Sequence, residues 1–349
     1  MSSVAVIGGG LAGSLLALEL ADLGQADLGQ EVQLEVVLID GGSSVASATG
    51  LSYGAVAAWA APPTALGRLM RQSPGRWRRW QRRLGPLGWR RRWLQLQGAG
   101  PLRRLPLPCG QVEAPALLAA LPALLERQGI RRIPANAAHV QPEGQAWRLQ
   151  LADGQVLQSD QVVLAAGAAC RSLWPALSSS LRVSWAGVIE LEAWPVGLRP
   201  GLLRLPARFG RIALERRAPQ LQRQEWVVDP GLVPWRQSAL AGQISLVRPG
   251  LEPGVPPDAA LMEQRLRQAL EALEPAIGQA PGRYRQAAVA FCSDGQPLVG
   301  PVPAAAGLWQ FCGFSAAFAQ VPVLAPLQAA AIAGSAAAGL RLKALTGRG

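Results

Sequence analysis

The chain has 349 residues, half of them apolar, enough for two domains that share one ligand and for a large core. A single histidine, His139, read as structural, argues against histidine-based triads and histidine-rich metal sites. Cys109, Cys170, Cys292 and Cys312 lie far apart with no C-x-x-C pair, which predicts neither a zinc site nor a disulfide framework. The formal charge of +12 is local: twelve arginines fall between Arg68 and Arg104, and no acid occurs between Gly41 and Val112, whereas the rest of the chain is balanced.

The chain opens on V-A-V-I-G-G-G-L-A-G, Val4 to Gly13. Val4, Val6 and Ile7 suit a buried strand, and Leu11, Ala12 and the leucines and alanines beyond continue as a helix. Gly8, Gly10 and Gly13 have the G-x-G-x-x-G spacing. The first glycine allows a tight turn, the second lets backbone approach a pyrophosphate, and the third lets helix pack on strand. The helix N-terminus offers N–H groups and partial positive charge to phosphate. A second apolar run, Val36–Ile39, ends in Asp40, placed to accept hydrogen bonds from a ribose. The gap between motif and acid exceeds the usual ~20 residues. A-D-L-G-Q occurs twice, at Ala21–Gln25 and Ala26–Gln30, and this duplication explains part of the excess.

The first strand begins at Val4 with no basic segment before it, so no signal peptide and a cytoplasmic location are expected. After Asp40, a loop of small and hydroxylated residues suits either close passage beside a cofactor, through Ser47, Thr49 or backbone N–H groups, or a flexible linker. Residues 68–104 are expected to be helical and amphipathic. Trp77, Trp80 and Leu84 form one stripe and Trp89, Trp93 and Leu96 another, divided by a turn at Gly85–Gly88. Three readings stay open for this stretch: a helical cover with solvated arginines, a membrane-surface helix pair, or an RNA contact.

Pro115–Gln128 is expected as a helix kinked at Pro122, Trp147–Leu157 as a hairpin about Asp153-Gly154, and Asp160–Gly167 as a buried strand ending in small residues. Strand-like runs follow at Arg182–Glu192, Gln224–Asp229 and Gly242–Val247. Asp258–Leu273 reads as a helix capped by Asp258. From Gln296 to Leu340 no residue is charged. Val321–Leu340 is long enough to cross a membrane, but its prolines, glycines and Gln328 favour a buried helix packed against a ligand.

These stretches together resemble the D-amino-acid oxidase-like family of FAD-dependent oxidoreductases, which includes glycine and sarcosine oxidases. The resemblance rests on V-A-V-I-G-G-G-L-A-G, V-V-L-I-D, C-G-Q-V-E-A-P-A-L-L-A-A-L, D-Q-V-V-L-A-A-G-A, S-D-G-Q-P-L-V-G and G-L-W-Q-F-C-G-F-S, in that order along nearly the whole chain. It implies an α/β fold (α+β overall). A Rossmann-type FAD-binding domain would comprise 1–60, 108–180 and 288–349, and an antiparallel-sheet substrate domain with helical cover would comprise 61–107 and 181–287.

The resemblance implies that Gly8, Gly10, Leu11, Ala12 and Gly13 surround the FAD pyrophosphate and that Asp40 meets the adenosine ribose. Ser47, Thr49 and Gly54 would run beside the cofactor, Val140 near adenine, and Ala166-Gly167 under the diphosphate–ribose region. Gly313, Phe314, Ser315 and Ala316 would present N–H groups to the flavin pyrimidine edge. The implied reaction is oxidation of a C–N bond in a small amine or amino acid by hydride transfer to flavin, with no metal.

The chain departs from the family pattern where its amino-acid oxidases often carry an arginine that grips the substrate carboxylate. Here Ala287–Cys292 contains none, and Gly313–Phe318 supplies neither a histidine nor an arginine. Neither Cys292 nor Cys312 clearly matches a covalent flavin link. Tyr53, Tyr284, Arg283 and Arg285 remain as substrate-side candidates. A tRNA-modifying flavoprotein oxidase, using the Arg68–Arg104 segment, and a flavin-binding protein without amine turnover stay open as alternatives.

Overall fold

A computed structural model describes residues 2–25, 34–42, 47–97 and 105–347. The second A-D-L-G-Q copy, Ser43–Ala46 and Arg103–Arg104 lie outside the described residues. In chain order the elements are β1 (Ser2–Ile7), α1 (Leu11–Gln25), β2 (Leu34–Ile39), β3 (Ala55–Val56), α2 (Ala65–Met70), α3 (Ser73–Leu84), β4 (Trp89–Gln97), β5 (Leu107–Val112), α4 (Ala114–Arg127), β6 (Arg131–Ile133), β7 (Ala137–Glu143), β8 (Ala146–Leu151), β9 (Val156–Ser159), β10 (Gln161–Leu164) and α5 (Cys170–Leu173). There follow β11 (Leu181–Leu191), β12 (Leu202–Pro206), α6 (Gly210–Arg217), β13 (Glu225–Trp235), β14 (Ser238–Val247), α7 (Ala259–Leu273), α8 (Pro275–Gly278), β15 (Gly282–Cys292), β16 (Leu298–Pro301), β17 (Leu308–Cys312), α9 (Ala317–Ile332) and α10 (Ala336–Thr346).

Val4, Ala5, Val6 and Ile7 are all buried, as a central strand covered on both faces requires. Accordingly β1 lies inside a sheet of order β16-β17-β10-β1-β2-β6. Its pairings are parallel except β16 with β17. The second sheet runs β15-β11-β14-β13-β12-β4-β5-β3 and is antiparallel apart from β12 with β4. Helix α7 covers it, burying Met262, Leu266 and Leu270 against Ile189, Leu232 and Ile244. Asp258 caps α7 by accepting the Ala260 and Leu261 N–H groups. β7, β8 and β9 make a small third sheet.

The expectation for 68–104 holds for its first half only. Trp77, Trp80 and Leu84 are the buried stripe of α3, and Gly85 and Gly88, both at positive φ, end it. Trp89–Gln97 is then strand β4, not a second helix. Trp89 and Trp93 are four residues apart, a spacing that one face of a helix and one face of a strand both satisfy. What decides is the partner strand: Trp89 pairs with Val112 of β5 and lays its indole over Gly110, where a side chain would overlap the ring. Trp93 stays about half exposed.

The tryptophan stripe packs on α9 and α1 and, through Trp89, on β4 of the second sheet. Pro322 has no N–H, so the Phe318 carbonyl lacks its helical donor. The Trp77 indole N–H fills that gap at 2.8 Å, and its ring stacks on Phe318 and Trp89. Trp80 donates to Glu19 of α1 at 2.6 Å, and Arg83 pairs with Asp22 one turn on. The uncharged C-terminal stretch is α9, buried against α1, followed by the separate α10. No helix among the described residues is long and apolar enough to cross a membrane.

Candidate active site

β1 sits between β10 and β2, and the chain order reverses on either side of it, which opens a crevice at the strands' carboxyl ends. Gly8 turns the chain there at φ 109°, donating to the Ile39 carbonyl at 2.8 Å. A Cβ on Gly8 would stand 2.6 Å from the Ala165 carbonyl oxygen. Gly13 packs α1 on the turn, since a Cβ there would overlap the Gly8 carbonyl oxygen. Gly10 differs: its Cβ direction is open apart from Thr49 Oγ1 at 3.2 Å. That hydroxyl also accepts the Leu11 N–H at 3.1 Å. Gly9, which the motif leaves free, is constrained by Asp40, whose carboxylate lies where a Gly9 side chain would be.

The cavity at this point has a volume of about 650 Å³. It brings together Gly8, Gly10, Leu11, Ala12, Asp40, Ser47, Thr49, Ala166, Gly167, Gly313, Phe314 and Ser315. Four further residues expected at the cofactor do not line it. Gly13 lies one layer behind the turn. Gly54 packs on the Val112 carbonyl. Val140 faces the core between Trp147 and Leu149. The Ala316 N–H is taken by Gln320 Oε1 at 3.0 Å, which closes the start of α9 by reaching back from the helix.

The far end of the cavity is floored by the antiparallel sheet. Ser184, Trp185, Ala186, Gln286, Ala288 and Val289 contribute from β11 and β15. Gln243 joins them because β14 slips register at that residue against both β11 and β13, and such a bulge re-aims a side chain. Arg211 enters from α6. Asp229 of β13 fixes the start of that helix, accepting the Gly210 N–H at 2.6 Å and the Arg211 N–H at 2.9 Å. Arg211 Nη1 pairs with Glu215 at 2.7 Å, and Nη2 donates to the Ser315 carbonyl at 3.1 Å. Burial pushes the Glu215 carboxyl above its ordinary range, opposed by Arg211, and does the same at Asp229. Among the described lining residues, Asp40 and Arg211 are the formal charges.

The four substrate-side candidates stand elsewhere. Tyr53 is buried, its hydroxyl beside Gly231 and Gly242 without a hydrogen-bond partner among the described residues, and burial pushes its phenol up. Tyr284 donates to Gln286 at 3.2 Å, and burial raises its phenol too. Arg283 lines a separate depression with Glu190 and Arg236, and Arg285 lies 3.9 Å from Glu190. The arginines of α3 line a depression of about 820 Å³ built from that helix and the turn before it, apart from the cavity. Among the site residues that the sequence reading missed are Gly9, Arg211, Gln243 and Gln286. Gly9 had a signal, its place in the middle of three consecutive glycines; the others had none within their own segments.

The glycine end fits FAD. Gly10 leaves a cradle that a Cβ would fill, the first turn of α1 faces it, and Asp40 stands at the end of β2 beside the turn. The comparisons agree. The family model described as FAD dependent oxidoreductase matches residues 3–107 and 105–330. Glycine oxidase from Geobacillus kaustophilus superposes with a TM-score of 0.72 at 18% identity, covering 95% of each chain. Glycine oxidase from Bacillus cereus ATCC 14579 gives 0.73 at 15% identity over 100% of this chain and 99% of its own. Iminodiacetate oxidase from Chelativorans sp. BNC1 gives 0.65 at 19% identity over 95% and 94%. Among curated protein sequences none matches. With the family model spanning most of the chain and the cavity shaped for its cofactor, this protein belongs to the D-amino-acid oxidase-like family of FAD-dependent oxidoreductases.

Proposed function

We propose that this flavoenzyme oxidises a C–N bond of a small amine or amino acid to an imine, which water then hydrolyses. The observation that supports this most is the cavity's two-part build: a glycine turn with Asp40 at one end and a small, nearly neutral sheet floor at the other. The neighbours named for glycine and iminodiacetate favour the same substrate class. FAD supplies the two-electron acceptor for the hydride. The chain's part is to hold and to exclude. Gly8, Gly10, Leu11 and Ala12 hold the pyrophosphate and Asp40 the ribose. Ser47, Thr49, Ala166 and Gly167 line its path, and Gly313, Phe314 and Ser315 border the flavin ring.

The division of labour follows the sheets, with 1–60, 108–180 and 288–349 binding FAD and 61–107 and 181–287 shaping the substrate side, although β3 and β5 extend the second sheet. No histidine, lysine or tyrosine lines the cavity among the described residues. The Cys312 thiol is pushed well up by its hydrogen bond with Cys170 and by burial, so it is no base at neutral pH. The amine must therefore lose its proton to water before it reacts. Mixing the FAD-loaded enzyme anaerobically with amines and amino acids tests the reading: visible flavin absorbance should bleach with at least one of them. An enzyme that none reduces, although dithionite does, sinks it and leaves a flavin-binding protein without amine turnover.

For a partner, we propose that the arginine face of α3 contacts the phosphates of an RNA. Trp77 and Trp80 are buried, so α3 has no apolar stripe to insert into a lipid surface. Its exposed arginines, Arg78, Arg79 and Arg82, meet no acid on that face among the described residues. Gel shifts at low and high salt should show binding that salt weakens and that Arg78→Gln, Arg79→Gln and Arg82→Gln together abolish. Equal binding by this triple variant, or tighter binding to anionic vesicles than to RNA, refutes the RNA contact.

A further inference from the structure

Family amino-acid oxidases often hold the substrate carboxylate with an arginine ahead of the S/T-x-D-G-x-P motif, and here that strand carries Ala287, Ala288, Val289 and Ala290. The floor of the cavity is nevertheless not without a cation. Arg211 reaches it from α6, an element far from that motif in sequence; its guanidinium is held at two points and its backbone at a third. Glu215 holds Nη1, the Ser315 carbonyl holds Nη2, and Asp229 pins the backbone of the turn. A guanidinium has five N–H donors. The contacts at Nη1 and Nη2 use one proton on each, and the buried Nε meets no partner among the described residues, so the group keeps N–H donors for a carboxylate. The Ser315 contact sets Arg211 against the loop that borders the flavin ring in the reading above.

We propose that Arg211 is the carboxylate-binding residue of the substrate site, so that the substrate is an amine bearing a carboxylate; this rests on the amine-oxidation reading above. Gln243, turned inward by the β14 bulge, supplies a neutral amide on the same floor. Glu215 is a positioning residue. In the empty enzyme it balances Arg211, and it competes with an incoming carboxylate for the same charge. The arrangement explains how a chain without the usual clamp keeps an anionic subsite: the cation comes from a helix seated on the sheet instead of from the strand beneath it. Arg283 and Arg285 have no such role, since both face Glu190 away from the cavity.

The test uses FAD-loaded enzyme and glycolate, a carboxylate with no amine. Wild type should show a saturable shift of the flavin visible band, and calorimetry should give the same dissociation constant. Arg211→Met should weaken glycolate roughly 30-fold or more, the loss of a charge-assisted pair, and Arg211→Lys should recover part of it. Glu215→Gln, which keeps the acceptor for Nη1 but removes the competing charge, should tighten glycolate several-fold. In turnover, Arg211→Met should collapse the kcat/KM preference for sarcosine over sarcosine amide.

Unchanged glycolate binding in Arg211→Met overturns the inference, as does unchanged or weakened binding in Glu215→Gln. A wild type that ignores glycolate overturns it as well, even if amines reduce the flavin. Arg211-dependent glycolate binding in an enzyme that no amine reduces supports the anionic subsite while refuting amine oxidation, so the two readings fail separately.

Discussion

Gly10 and Gly13 belong to one motif, yet the structure gives them opposite tasks, and alanine at each should separate binding from folding. At Gly10 the new methyl group meets only Thr49 Oγ1 at 3.2 Å, a side chain able to shift by a few tenths of an ångström. The FAD-free protein should lose less than about 1 kcal/mol. The same methyl group fills the cradle where the pyrophosphate approaches the backbone. Losing one or two charge-assisted hydrogen bonds, each worth about 1.5–3 kcal/mol, weakens FAD by roughly 10-fold to about 20,000-fold. At Gly13 the methyl group overlaps the Gly8 carbonyl oxygen. Neither backbone can yield without parting α1 from β1, so overpacking of about 1–3 kcal/mol or more is expected. That exceeds the ~1 kcal/mol that alanine gains in a helix. Thermal denaturation of the FAD-free proteins, with fluorescence titration of FAD, reads both quantities. Gly10→Ala binding FAD as tightly as wild type would refute the cradle, and Gly13→Ala with unchanged Tm would refute the packing argument.

Trp77→Phe should cost about 1–3 kcal/mol, because the Phe318 carbonyl, already deprived of a helical donor by Pro322, is left buried and unpaired; an unchanged Tm would show that water replaces the indole. kcat/KM should rise with pH toward the substrate amine's own pKa, as no base among the described residues of the substrate floor takes that proton, and replacing the substrate by one of lower amine pKa should move the limb down; a limb that stays put would reveal an enzyme base. Burial raises the Glu215 pKa in the folded protein above its ordinary 4.5, so the folded state binds the extra proton and stability falls as pH rises through the window above 4.5. Glu215→Gln should flatten Tm against pH there, and an unaltered slope would assign the pH dependence to other groups.

The parts of this fold legible in the sequence are those whose causes are local. The glycine turn, the run ending in Asp40, the hairpin about Asp153-Gly154 and the Asp258 cap each carry their signal within a few residues. Trp89–Gln97 does not, because its spacing suits either a helix or a strand and only Gly110 of a neighbouring strand decides. Val140 follows the family's order of motifs, but strand alternation turns its side chain into the core. Arg211 stands 104 residues from its partner Ser315, and the eight residues of α6 carry no pattern that marks one face as a site. Gln243 depends on a register slip that no composition reveals. The glycine-turn end of the cavity is therefore legible in the sequence, and the sheet floor, assembled from long-range contacts, is not.

The arginine-rich segment shows how these levels connect. Its tryptophans were open to a membrane reading while their partners were unknown. In the structure Trp77 completes the hydrogen bonding of α9, and Trp80 and Arg83 meet Glu19 and Asp22, matched pairs one turn apart on α1. Burial raises the Glu19 carboxyl while the Trp80 N–H and Arg83 lower it, so the contact is held by both packing and charge. Helices α1 and α9 are the two whose first turns border the cofactor end of the cavity. α3 therefore ties them together from behind, and its apolar face is fully accounted for by folding. Its arginine face is not. Arg78, Arg79 and Arg82 point away from both helices, and packing would have been served as well by lysine, glutamate or glutamine at those positions. Self-repulsion among them is a cost the fold does not require, and a polyanion bound along α3 removes it. Under the proposed RNA contact, the salt dependence of the gel shifts would also measure how much of that repulsion the partner relieves.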